Sequence, residues 1–297
     1  MSKQGFRSGF VAVIGRPNVG KSTLINALVG DKVAIVSDKP QTTRNRIMGV
    51  VHRPGAQVVL IDTPGIHKPR HRLGKYMVET AQSALREVDA ILFVVDGTVP
   101  PGKGDRMIAE RLPKTPLLIV VNKIDRLSAQ EVADAKQTYG TLRDCHTILA
   151  VSALQGTNLD DLYQALLAFL PEGPQYFPEG MVTDRPETFL VAEFIREQVL
   201  HLTWEEVPHA ITVAVEEMTL RSPELVYVRA VVYVEKESQK GIIVGRNGMM
   251  LREIGRRARG EIERLLGSRI YLDLWVKVSK DWRNRPAALH NFGYRPD

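Results

Sequence analysis

The eight residues Gly15-Arg16-Pro17-Asn18-Val19-Gly20-Lys21-Ser22 decide how the rest of the chain is read. They fit G-x-x-x-x-G-K-[ST], with the apolar run Phe10 to Ile14 before them and the helix-like run Thr23 to Val29 after them. A strand feeding a glycine turn that opens a helix is the context in which this pattern cradles phosphate. Gly15 and Gly20 let the backbone curl until its N–H groups face phosphate oxygens, and the helix adds the positive end of its dipole. Lys21 then reaches the β- and γ-phosphates, and the Ser22 hydroxyl takes a magnesium position. Arg16, Pro17, Asn18, Val19 and Thr23 complete the cradle, and Gly30 is a C-terminal stop for the helix.

Outward from this loop, short apolar runs alternate with helix-like stretches as far as about Leu170. They are Phe10 to Ile14, Val58 to Ile61, Ala90 to Val95, Leu117 to Val121 and Ile148 to Val151. These runs are too short for buried helices and rich in β-branched residues. They predict strands buried on both faces of a mostly parallel sheet with helices on both faces, an α/β domain. A further strand at Ile47 to His52 pairs antiparallel with the one from Gln57 through a Pro54-Gly55 turn.

Three more elements fall at the ends of these strands. Asp62-Thr63-Pro64-Gly65 places a carboxylate where ligands of such sheets collect, to hold Mg2+ through water. Asn122-Lys123-Ile124-Asp125 follows the fourth run, and a carboxylate there accepts two hydrogen bonds from guanine N1–H and its 2-amino group. Adenine offers neither, and an unpaired buried group costs about 1–3 kcal/mol, so this element selects GTP over ATP. Ser152-Ala153-Leu154 presents the Ala153 N–H toward guanine O6. The order and spacing of the four elements resemble the translation-factor-like class of P-loop GTPases over about residues 9–170.

That resemblance implies a switch threonine in Lys39-Pro40-Gln41-Thr42-Thr43-Arg44 that closes over Mg2+ and the γ-phosphate: Thr43, with Thr42 as the alternative. Residues from Gly65 to about Lys75 would form the second switch, with His67 and His71 read as solvated. Ile66 stands where many such enzymes carry a water-orienting glutamine, and it has no polar atom with which to hold water. Slow intrinsic hydrolysis is expected. Asn18 occupies the position at which related potassium-using families carry an asparagine, so K+ is expected in place of an arginine finger. The residues expected to act in the chemistry are therefore Lys21, Asn18 and Thr43, with Ser22, Thr43 and Asp62 around the metal.

Composition bounds the rest. At 297 residues, with 44% hydrophobic and 25% charged residues, the chain is long enough for two domains and is not collagen-like, coiled-coil or wholly disordered. One cysteine, Cys145, excludes an internal disulfide framework and points to a reducing compartment. No apolar stretch approaches the roughly 18–20 residues needed to span a bilayer, and the N-terminus has no signal-peptide pattern, so a cytoplasmic protein is expected. The formal charge of +6 favours an anionic partner such as RNA or the ribosome.

From Pro171 the pattern stops. Turn-formers such as Pro171, Gly173, Pro174, Pro178 and Gly180 predict a linker over 171–188, followed by the order α-β-β-α-α-β. In Gly241-Ile242-Ile243-Val244-Gly245-Arg246-Asn247-Gly248-Met249-Met250-Leu251, a G-x-x-G precedes an amphipathic helix expected to run through Arg259, with another from Glu261. Two glycines around Arg246-Asn247 let a phosphodiester chain approach the backbone closely, with about four nucleotides clamped over an apolar groove. This resembles a KH domain of type II. Residues 236–259 hold seven Lys and Arg against two Glu, a local +5. The candidate RNA contacts are Lys240, Gly245, Arg246, Asn247, Gly248, Arg252 and Arg256. No aromatic lies between Tyr233 and Tyr271, so recognition by the groove and base edges is expected rather than ring stacking. Trp282, Phe292 and Tyr294 in the tail are expected to pack on the domain.

The GTPase elements, Lys-Pro-Gln-Thr-Thr-Arg and a C-terminal type II KH domain together resemble the bacterial Era family across nearly the whole chain. The resemblance implies a GTPase that binds single-stranded 16S rRNA near its 3′ end and assists maturation of the 30S subunit. It also implies GTP/GDP and Mg2+ as ligands and release after hydrolysis. Any contact with the inner membrane would be peripheral, and no stable protein partner is expected. The alternative is a GTPase acting on a tRNA-modifying or membrane-associated protein, with the second domain making protein contacts. The expected division is a GTPase domain at 1–170, a linker at 171–188, a KH domain at 189–280 and a tail at 281–297.

Overall fold

The structure is a computed structural model that describes residues 5–65, 71–86 and 88–294. The chain divides into two compact units, one of residues 1–34, 43–69 and 77–184, the other of residues 35–42, 70–76 and 185–297.

The first unit is built on strands β1 (Arg7–Ile14), β2 (Ile47–Arg53), β3 (Ala56–Asp62), β4 (Ala90–Asp96), β5 (Leu117–Asn122) and β6 (Thr147–Ala150). Its helices are α1 (Lys21–Val29), α2 (Arg72–Ser83, whose first turn falls in the second unit), α3 (Lys103–Arg111), α4 (Ala129–Gly140) and α5 (Leu159–Leu167). The strand order is β2-β3-β1-β4-β5-β6, parallel throughout except for the antiparallel β2. The continuous apolar runs explain themselves by alternation: Leu92, Val94, Leu118 and Val120 enter the core shared with α1 and α5. Ile91, Phe93, Val95, Ile119 and Val121 enter a second core containing Ile108 of α3 and Tyr139 of α4. Register brings the functional ends together, since Val13 pairs with Asp62 and Asp96 with Asn122.

The stretch read as a linker is bonded to the rest of the first unit from Gly173 as far as Asp184. Gly173 N–H donates to Phe6 O (3.0 Å), and Val50 N–H of the edge strand β2 donates to Val182 O (2.9 Å). Proline and glycine signal turns, not detachment, and here the turns cover an edge that would otherwise expose unpaired backbone groups.

The second unit contains α6 (Glu187–Leu202), α7 (Val207–Ala210), β7 (Thr212–Ser222), β8 (Leu225–Val234), α8 (Glu237–Val244), α9 (Met249–Leu266), β9 (Arg269–Val278) and α10 (Pro286–Asn291). Its sheet is β7-β8-β9, antiparallel then parallel. The expected helix pair needs correction: the G-x-x-G separates α8 from α9, and α9 passes through Gly260 without a break. Ile254, Ala258 and Ile262 fall on one buried stripe, and that burial outweighs the roughly 1 kcal/mol by which a mid-helix glycine is disfavoured. The tail aromatics pack on the unit as expected. Trp282 Nε1–H donates to Ala210 O (2.8 Å), and its ring stacks with Tyr294 at 5.9 Å and meets Phe292 edge-on at 5.6 Å.

Candidate functional site

Gly20 stands at φ 97°, a conformation that favours glycine, and a Cβ there would lie 2.3 Å from Asn122 Nδ2. The close approach joins two of the sequence elements. Asn122 Nδ2–H donates to Val19 O (2.9 Å), and Asn122 Oδ1 accepts the Ala153 N–H (3.0 Å), so one amide ties the glycine loop to the Ser152-Ala153-Leu154 turn. Lys123, also at positive φ, donates through Nζ to Asn18 O (2.8 Å) and to Asp96 Oδ2. Ser152 Oγ–H donates to Asp125 Oδ1 (2.6 Å), which orients that carboxylate. Gly20, Thr23, Asn122, Lys123, Asp125, Ala153 and Leu154 line a cavity of about 190 Å³ with Arg126.

At the other end of the loop, Lys21 is buried and its Nζ donates to Gly15 O (3.1 Å) and Arg16 O (3.0 Å). Arg16 is anchored in turn by Asp105, fully buried on α3, at 2.7 Å. Ser22 Oγ–H donates to Asp62 Oδ2 (2.8 Å), and Thr43 Oγ1 lies 3.1 Å from both Ser22 Oγ and Asp62 Oδ2. The three expected metal-site residues thus converge. Thr42 does not join them, because its hydroxyl donates to Lys39 O (2.7 Å). Thr63 ties its hydroxyl to Val13 O (3.0 Å), and a Cβ on Gly65 would lie 2.9 Å from Pro17 Cγ. Ile66 and His67 lie outside the described residues. His71, read as solvated, accepts the Gly74 N–H at Nδ1 (2.9 Å).

These residues fit a magnesium nucleotide. Among the described residues no hydrogen-bond partner of normal geometry reaches the buried Asp62 Oδ1. Burial pushes the Asp62 carboxyl up, against Lys21, Ser22 and Thr43, and burial lowers the Lys21 ammonium, against Asp62. A divalent cation would reverse the first shift and phosphate the second.

In the second unit the G-x-x-G turn runs Gly245 (φ 68°), Asn247 (φ 52°) and Gly248 (φ 74°). A Cβ on Gly245 would meet Met250 Cβ at 2.7 Å, whereas Gly248 faces open space. The turn opens α9, and beside it lies a groove of about 450 Å³ lined by Gly248, Leu251, Arg252, Gly255, Arg256, Arg259, Leu272 and Leu274. Its floor is leucine and its rim arginine, with no aromatic among the lining residues. Glu253 grips Arg256 (2.8 Å, two bonds) and Arg257 (2.6 Å), which hold its carboxyl down to about 2.

Sequence reasoning missed several contributors. Asp96 ends an apolar run just as Asp62 and Asn122 do, so its signal was present. Asp105 had none. Gly255, inside an arginine-rich helix, could have been flagged as a close-approach position, while Leu272 and Leu274 are ordinary strand residues until β9 is placed beside α9.

The fold and its two sites define a P-loop GTPase domain followed by a KH domain. Residues 10–123 match the family described as 50S ribosome-binding GTPase, and residues 206–283 match the KH domain. A crystal structure of Era in complex with MgGDPNP and nucleotides 1506–1542 of 16S ribosomal RNA is similar at 42% identity and TM-score 0.94, covering 98% of this chain and 100% of that one. Aquifex aeolicus Era, as a point variant bound to GDP·AlF4−, is similar at 43% identity and TM-score 0.94, with coverage of 98% and 100%. The chain belongs to the Era family. It is a GTPase, and its ligands are GTP or GDP with Mg2+.

Proposed function

We propose that the protein is a GTP-hydrolysing switch that binds single-stranded 16S rRNA near its 3′ end and assists maturation of the 30S subunit, leaving after hydrolysis. The observation that supports it best is the presence in one chain of a guanine-shaped set, Asn122, Asp125 and Ala153, and an arginine-rimmed groove beside a G-x-x-G turn. Sequencing RNA crosslinked to the GTP-loaded protein tests it. Enrichment of the 16S 3′ end with adducts at Gly245 to Met250 is expected, and adducts scattered over other RNAs and other surfaces would overturn it.

In this reading Ser22, Thr43 and, through water, Asp62 would hold Mg2+, which would supply charge neutralisation at the β- and γ-phosphates. Lys21 binds those phosphates, Asn122 and Asp125 read the base, and Ser152 holds Asp125 in its accepting orientation. Asn18 helps to bind K+, which would supply positive charge in place of an arginine finger; equal GTPase rates in KCl and NaCl would remove that role. Lys240, Arg246 and Arg252 meet phosphates, while Leu251 and Leu272 receive bases. The working division keeps the GTPase machinery in 1–170 and the RNA clamp in 189–280, joined by 171–188 and followed by the tail at 281–297. The site of action is the cytoplasm, with any contact at the inner membrane peripheral; among the described residues no helix is long and apolar enough to cross a membrane.

A further inference from the structure

Residues 35–42, between α1 and β2 in sequence, belong to the second unit and are fastened there to α6 at both ends. Ile35 is buried in the apolar core of that unit, which also holds Leu190 and Ile195 of α6. Val36 N–H donates to Glu197 Oε1 (2.9 Å). At the far end the Thr42 carbonyl accepts from Arg196 Nη2, one residue earlier on the same helix. Between these points Lys39 places its ammonium 6.0 Å from the centroid of the Trp204 ring.

Arg196 is an unusual choice for a mere fastener. Its side chain is 1% exposed and is gripped by Glu193 through Nε (2.7 Å) and Nη2 (2.6 Å). A buried ion pair contributes little net stability relative to apolar residues of the same volume, so a guanidinium aimed from such a pair at one backbone oxygen suits positioning better than packing. The oxygen it holds is that of the peptide joining Thr42 to Thr43, and Thr43 is the residue whose hydroxyl reaches Ser22 and Asp62.

We propose that Arg196 is a positioning residue for the nucleotide switch: by fixing the Thr42 carbonyl it sets the peptide from which Thr43 reaches the magnesium site. This rests on the reading of Thr43 as the switch threonine. The same helix packs its apolar residues with Ile254, Ala258 and Ile262 of α9, the helix that the G-x-x-G turn opens. α6 is therefore touched both by residues 35–42 and by the helix that borders the RNA groove.

The test uses the full-length protein with Arg196→Met, Arg196→Lys and Glu193→Gln. Binding of fluorescent GDP and of a non-hydrolysable GTP analogue is titrated in Mg2+, and amide hydrogen exchange is followed without nucleotide. For R196M the analogue is expected to bind about tenfold more weakly, the loss of one charge-assisted hydrogen bond, with GDP affinity within about twofold of the parent. R196K, which keeps the charge and loses the fork, recovers part of the difference, and E193Q falls between. Exchange across residues 36–43 accelerates in R196M while α1 keeps its protection. An unchanged analogue-to-GDP ratio in R196M, or an equal loss of both nucleotides, overturns the proposal; should R196M not fold, the same ratio in E193Q decides. A parent protein that binds neither nucleotide would instead refute the GTPase reading itself.

Discussion

Removing one hydroxyl at Thr43 and one at Thr42 should have different consequences, although the two residues are neighbours of the same type. Thr43 Oγ1 lies 3.1 Å from Asp62 Oδ2, and Asp62 is fully buried, so Thr43→Ala takes a donor from a carboxylate that water does not reach. Hydrogen bonds to charged groups are worth about 1.5–3 kcal/mol. Ser22 remains at 2.8 Å, so the nucleotide-free protein should lose toward the lower end of that range. On the proposed role of Thr43 the lost oxygen would also be a magnesium ligand, and the expected result is a roughly 10- to 100-fold weaker Mg2+-dependent affinity for a GTP analogue. Thr42 Oγ1 only closes a turn onto the Lys39 carbonyl at 2.7 Å. Thr42→Ala should cost about 0.5–1.5 kcal/mol of stability and leave the Mg2+ dependence alone. Urea unfolding gives the first quantity, and analogue titrations across Mg2+ concentrations give the second. A T42A variant with the larger Mg2+-dependent loss, or a T43A variant within twofold of the parent, would refute the assignment.

Gly20→Ala should destabilise by about 2–4 kcal/mol, the sum of backbone strain and the displaced Asn122 bridge, and a Tm within about 2 °C of the parent would contradict the 2.3 Å approach. Asp125→Asn should bind xanthosine triphosphate in preference to GTP, because an amide accepts from N1–H and donates to a 2-oxo group; competition titrations that still favour GTP would argue that Asp125 does not read the base. Glu253→Gln should release Arg256 and Arg257 to phosphate, raising RNA affinity severalfold at low salt and steepening its salt dependence by about 1.4 in log–log slope, roughly 0.7 for each arginine, and an unaltered slope would count against these arginines as phosphate contacts. Because Arg256 and Arg257 depress the Glu253 carboxyl to about 2, its stabilising grip is present above the ordinary glutamate range and is lost only as pH falls toward about 2. RNA binding between pH 5 and 8 should therefore show no titration from this group, which repeated titrations across that range would check.

Much of the nucleotide site was legible in advance because it is read along single strands. Each of Asp62, Asn122 and Ser152 ends or follows an apolar run, and a buried parallel sheet collects such ends on one edge. The groove was legible only in part. Arg252 and Arg256 could be assigned from their spacing beside the G-x-x-G, but the break expected near Gly260 misplaced the helices, because a glycine's local preference is a weaker signal than three buried residues on one stripe. Residues 171–188 show a related limit, since composition reports turns and is silent on what the turns are bonded to.

Residue types at fixed spacing along the chain were enough to decide the chemistry of this protein: the phosphate loop, guanine selection and the glycine clamp each occupy a few consecutive residues, whose local geometry follows from backbone rules. Only the tertiary structure decided which threonine meets Asp62, which carboxylates hold Arg16 and Lys123, and that residues 35–42 are fastened to α6. Those facts depend on contacts between positions from 19 to 161 residues apart, and sequence proximity carries no information about such pairs.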